Sequence, residues 1–236
     1  ISSRYWDSIP YQLELIRQDQ ITPTQLDLLC HGDSVVVNRE LIPEYHRRRP
    51  DDVLVQLGMA RILIENLDYD AAEELLRRVI DARPELIEAQ HDLGRVYIAT
   101  EDVDAFQAWH ARLGESGDGH PGIWMVRGTM AARREEANVA IRCFWEACRL
   151  DPDRHTSNYQ LAQSLKSLGL NAAAEPFFER ARELLQYGSS VMDAKTGRSL
   201  PALREAAEKA ESLGLLWESY AWTKLSLTVD PELSWA

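Results

Sequence analysis

Small residues recur every 34 positions along the middle of this chain, and that interval limits the possible fold more than any other feature. Ala60, Gly94, Gly128 and Ala162 form one series, and Ala72, Ala140 and Ala174 belong to a second at the same interval, in which Phe106 replaces the alanine of the second unit. Small side chains are needed where two helices cross closely, because a bulkier group forces the axes apart. Leu76, His110, Phe144 and Phe178 fill the next layer of each unit, and Val79, Leu113, Ala147 and Ala181 the layer after that. Successive matches of this kind predict stacked helix–turn–helix units over 53–86, 87–120, 121–154 and 155–188.

The flanks keep the pattern less strictly. Residues 1–52 read as N-terminal helices with a degenerate repeat: Tyr5, Trp6, Ile9, Leu13 and Ile16 have helical spacing, and Thr22-Pro23 supplies a cap and a first-turn proline. Gly32-Asp33 ends that helix, and another is expected from Ser34 to Arg48. Arg47, Arg48 and Arg49 are expected to offset its dipole rather than to form a docking patch. Beyond the fourth unit, Gly169 and Gly214 lie 45 residues apart, which places an insertion at 189–199. A fifth unit then occupies 200–236, with Leu203, Ala206, Ala207 and Ala210 inside and a further helix starting near Trp235. The glycine-rich run from Gly114 to Gly122 is expected to shorten the second helix of its unit. It lacks both the G-x4-G-K-[ST] pattern and a preceding strand, so it reads as a connector and not as a phosphate loop.

The stretch from Pro121 to Asp153 is the most diagnostic. Trp124, Gly128, Ala140, Phe144 and Pro152 follow the W-x2-L-G-x2-Y, A-x3-F, P spacing, with Arg127 in place of leucine and Ala131 in place of tyrosine. The chain thus resembles the tetratricopeptide repeat family over Val53 to Gly188 and Leu200 to Pro231. The resemblance implies an all-α, right-handed superhelical solenoid that scaffolds protein complexes. Members that clamp acidic chaperone tails use lysine and asparagine at first-helix positions that here hold Leu57, Arg61, Asp92, Met125 and Gln160, so that clamp does not carry over.

Composition removes other classes. A net charge of −12 argues against a nucleic-acid surface, which depends on clustered lysine and arginine. No apolar run suits a membrane-spanning helix, and the opening residues lack a signal layout. The chain therefore reads as soluble, with the cytoplasm as the favoured compartment. Its start at Ile1 and the unfinished helix at Trp235 suggest an alternative, a regulatory or targeting segment of a larger enzyme whose catalytic domain lies elsewhere. Cys30, Cys143 and Cys148 have no disulfide or zinc spacing and read as buried thiols. His91, His110 and His120 share a unit, but no pair has ligand spacing: His91 is expected on a first helix, His110 in the core and His120 in the connector. Adjacent acids such as Glu73-Glu74 point about 100° apart and cannot address one bond. No catalytic group, metal site or cofactor is expected, and Trp109, Trp145, Trp217 and Trp222 read as inter-helix packing.

A binding strip is the remaining prospect. Positions i, i+4 and i+7 of each first helix share a face, giving Leu57, Arg61 and Ile64; His91, Arg95 and Ile98; Met125, Thr129 and Ala132; and Tyr159, Gln163 and Lys166. This strip would line the concave groove of the array and bind a partner peptide or helix. Contact is expected to centre on Arg61, His91, Arg95, Tyr159, Gln163 and Lys166, which oppose few facing acids, such as Glu88 and Asp92. An acidic partner segment fits that balance.

Overall fold

The computed structural model describes residues 41–233. The expectations for the helices between Tyr5 and Gly32, for Cys30 and for the helix at Trp235 lie outside those residues. The chain divides into two compact units, one over 36–178 and one whose described part is 179–233. All regular structure among the described residues is helical, so the chain is an all-α helical repeat.

In the unit over 36–178, α1 (Ile42–Arg48) precedes three helix pairs and the start of a fourth. They are α2 (Val53–Glu65) with α3 (Tyr69–Ala82), α4 (Ile87–Ala99) with α5 (Val103–Leu113), and α6 (Pro121–Arg133) with α7 (Ala137–Leu150); α8 (His155–Ser167) is followed by α9 (Asn171–Gly197). Aspartates start several of these helices: the carboxylates of Asp52, Asp68 and Asp102 accept backbone N–H bonds at the first turns of α2, α3 and α5. Within each pair one turn residue has positive φ, namely Leu67 at 63°, Glu101 at 58°, Glu135 at 60° and Gly169 at 75°. The backbone thus repeats the 34-residue interval at a position where the sequence shows glycine only once.

The two series of small residues are buried where helices meet. A Cβ on Gly128 would lie 2.6 Å from Phe144 Cε1, and one on Gly94 would lie 2.7 Å from Trp109 Cη2 and 2.8 Å from Val126 Cγ1. Trp109 therefore fills the slot that its pair needs. His110, expected in the core, is instead exposed and stacks on Phe106 with ring centroids 6.1 Å apart. Leu57 and Ile64, expected on the strip, are buried in the core. Trp145 and Trp217 are exposed, whereas Trp109 and Trp222 are buried.

α5 spans 11 residues against 14 for α3 and α7. It gives way to a short 3-10 turn at Gly114–Gly117. Above that connector Arg127, half-buried on α6, lies over the Trp124 ring at 4.7 Å. It donates to Gly114 O at 2.7 Å and to the Asp118 carboxylate, while Trp124 Nε1 donates to Asp118 O at 2.8 Å. The arginine that replaces the expected leucine thus ties down the glycine-rich segment.

In the described part of the other unit, α9 continues and is followed by α10 (Leu200–Ser212) and α11 (Leu216–Val229). Of the residues counted as an insertion, 189–197 are helical and lengthen α9 to 27 residues, while Arg198 and Ser199 form the turn into the next helix. They add core as well as length: Ser190 and Ala194 are buried, and Ala194 joins Leu184, Leu203, Ala206, Ala210 and Trp222. Polar ties reinforce this packing. Trp222 Nε1 donates to Tyr187 Oη at 3.0 Å, Arg180 Nη2 to Leu213 O at 3.0 Å, and Lys209 Nζ to Ser190 Oγ at 2.7 Å.

Candidate functional site

The six side chains expected on the strip fall into two groups within the unit over 36–178. The first surrounds Asp92. Helical spacing on α4 brings His91, Asp92 and Arg95 to one region, and Arg61 reaches it from α2 of the preceding pair. Asp92 is 1% exposed. Arg61 Nε donates to its Oδ2 at 2.6 Å, and Arg95 Nη1 and His91 Nδ1 face its Oδ1, each at 3.4 Å. Burial alone would raise the Asp92 pKa, but the hydrogen bond from His91 and the charge of Arg61 outweigh it and hold the carboxyl well below its ordinary range.

This arrangement revises the electrostatic reading of the strip. Asp92, read as one of a few facing acids, is a buried hub that already engages both arginines. Arg61, 35% exposed, joins consecutive pairs. Arg95 is 50% exposed and makes one long contact, so its guanidinium retains donors directed to water.

The second group lies on α8. Tyr159 is 40% exposed; its ring stacks on His155 at 6.1 Å and meets Phe178 edge-on at 5.9 Å. Gln163 Nε2 donates to Tyr159 Oη, and Lys166 Nζ stands 5.8 Å from the Phe178 ring centroid. The group therefore presents an aromatic platform held by its neighbours, a phenol and an ammonium. On α6, between the groups in sequence, Thr129 spends its hydroxyl on Met125 O at 2.8 Å.

The structure also joins two histidines that sequence spacing kept apart. His91 on α4 and His120 at the start of α6 have ring centroids 5.4 Å apart. Gly122 permits the approach, since a Cβ there would lie 2.7 Å from His91 Cδ2 and 2.8 Å from His120 Cε1. Their separation of 29 residues has no helical meaning; only the packing of α4 against α6 brings them together. Among the described residues no group of three histidine, cysteine or acidic side chains is placed to hold a metal ion. No described helix is long and apolar enough to cross a membrane.

Comparison with known proteins supports the repeat reading. Residues 63–128 match the family described as Tetratricopeptide repeat, and residues 155–184 match a second family of the same description. No curated protein matches the chain. Similar solved structures include MamA MSR-1, at 22% identity over 64% of this chain and 86% of that one, with a TM-score of 0.44. YrrB, described as a TPR protein with an unusual peptide-binding site, is 13% identical over 82% of this chain and 94% of its own, with a TM-score of 0.47. TTC0263, a thermophilic TPR protein in Thermus thermophilus, is 20% identical over 76% and 92% respectively, with a TM-score of 0.48.

Proposed function

We propose a specific binding mode for this chain, which is a tetratricopeptide repeat protein and, as such, a protein-interaction scaffold. The first-helix face holds an extended peptide or a helix of a partner protein, and the partner places a carboxylate against Arg95 and Lys166. The observation that carries this reading is the exposure of Arg95 and Tyr159 beside side chains that fix them: Asp92 below the guanidinium, His155 and Phe178 around the phenol. An arginine can grip a carboxylate with two parallel hydrogen bonds. A half-exposed tyrosine offers apolar area with a polar tip. Arg61, His91 and Gln163 act chiefly by holding these groups in place. The reading assigns the chain no catalytic step.

The test starts with a peptide selected from a random display library on the purified protein. That peptide is then titrated against a variant carrying Arg95→Glu and Lys166→Glu, and against Tyr159→Ala. The charge reversal is expected to weaken binding by about 10-fold or more without changing the circular dichroism spectrum, because neither head group is buried. Glu74→Lys, on the exposed face of α3, serves as control and should bind as wild type. Loss in the control with retention in the strip variant would place the partner on the second-helix face and refute this reading.

A further inference from the structure

We infer that His120 is an acid-sensitive lock on the joint between α4 and α6, so that proton uptake at this imidazole unfastens consecutive repeats. The ring is 7% exposed, yet neither Nδ1 nor Nε2 has a hydrogen-bond partner. A buried imidazole in that state is tolerable when neutral and costly when charged, because nothing replaces the water that would solvate the cation. Its place in the chain adds to the effect. His120 is the N-cap of α6, and its carbonyl accepts from Ile123 N at 3.1 Å. A positive charge there meets the positive end of the helix dipole.

The surrounding charges divide. From α4, His91 opposes a charge on His120, whereas Glu88 and Asp92 favour one; Arg154, the residue before α8, opposes it. Burial, joined by His91 and Arg154, outweighs the two acids and pulls the imidazole from its ordinary 6.5 down to about 4. The sign follows from linkage. A histidine whose folded value is depressed contributes stability that is fully present above pH 6.5 and is lost as the pH falls towards 4. That window lies largely above the range in which ordinary carboxylates titrate, so the loss can be separated from general acid denaturation. Gly122 makes the contact specific, since it is the residue that lets the His91 ring close over His120.

The experiment is urea unfolding of the full chain at pH 7.5 and pH 5.0, for the wild type and for His120→Phe, followed by circular dichroism. Between those values the wild-type folding constant should fall roughly 30-fold more than that of the variant. A second measurement does not depend on the variant folding: the His120 ring resonances of the wild type, followed by NMR, should titrate well below pH 6.5. Equal pH losses in wild type and variant, or a ring that titrates at or above 6.5, would overturn the inference.

Discussion

Asp92 shows how one residue can set the character of a site. Its carboxylate is out of water and held by Arg61 from the preceding pair, so its removal leaves the cations around it without their common partner. Asp92→Ala should destabilise the unit, by less than the roughly 3–5 kcal/mol of a fully buried pair, because the arginines keep access to water. The pH dependence has the same sign as that of His120 but a different cause: here the charged form is favoured on folding, there the neutral one. A carboxyl whose folded value is depressed contributes stability that is present above its ordinary 3.8 and lost as the pH falls below it. Urea midpoints measured between pH 5 and pH 2 should therefore fall more steeply for wild type than for Asp92→Ala; parallel curves would remove the hub role. Arg61 thus ties α2 to α4 through Asp92. Nothing in the sequence marks Asp92 as buried, since an acid between His91 and Arg95 on a first helix reads as a solvated face. The thiols were more legible: Cys143 and Cys148 are both buried, and burial followed by the Asp151 charge pushes Cys148 up to about 12.

At the scale of elements, the contact between α6 and α7 depends on the absence of a side chain at Gly128. A Cβ there would fall 2.6 Å from Phe144 Cε1, on a ring that is itself fully buried and cannot retreat. Gly128→Leu should cost on the order of 1–3 kcal/mol or more by overpacking. The natural control is Gly119→Ala, where an added Cβ meets nothing within 4 Å, and not Gly117, where it would meet Ile123 Cγ2 at 2.9 Å. Denaturant midpoints for the two variants should differ clearly; coincidence would show that the helix crossing lies elsewhere. Gly117 reads as an open connector residue in the sequence because glycine-rich runs look alike whether solvated or packed. Only the return of α6 over the connector makes it a contact. The same limit applies to residues 189–199. A departure from the 34-residue interval locates them, but the helical state of 189–197 in α9 reflects Ser190 and Ala194 finding α10 to pack against.

The described part of the whole molecule has its apolar core in separate clusters. Leu57 to Met130 form one and Ala131 to Leu161 another in the unit over 36–178, while Leu184 to Trp222 form a third in the unit that includes 179–233. In repeat arrays stability is a sum of unit and nearest-neighbour terms, so damage in one cluster need not reach the others. Trp222→Ala should remove about 3–5 kcal/mol of packing locally. Hydrogen exchange followed by mass spectrometry should then quicken across α10 and α11 and leave α2 to α4 near wild type. Uniform acceleration would show that the chain unfolds as one cooperative body. The all-α repeat architecture was legible in the sequence because periodic burial is a local demand: every close helix crossing needs its small residue, and the demand returns with each unit. The positive-φ turn residues Leu67, Glu101 and Glu135 were not legible, because hydrogen bonds and packing around each turn hold non-glycine residues in a conformation their composition does not announce. Nor were the burial of Asp92, the outward turn of His110, or the meeting of His91 with His120. Each depends on which side chain of one helix pair lies opposite which side chain of the next, and that juxtaposition exists only once the pairs have stacked.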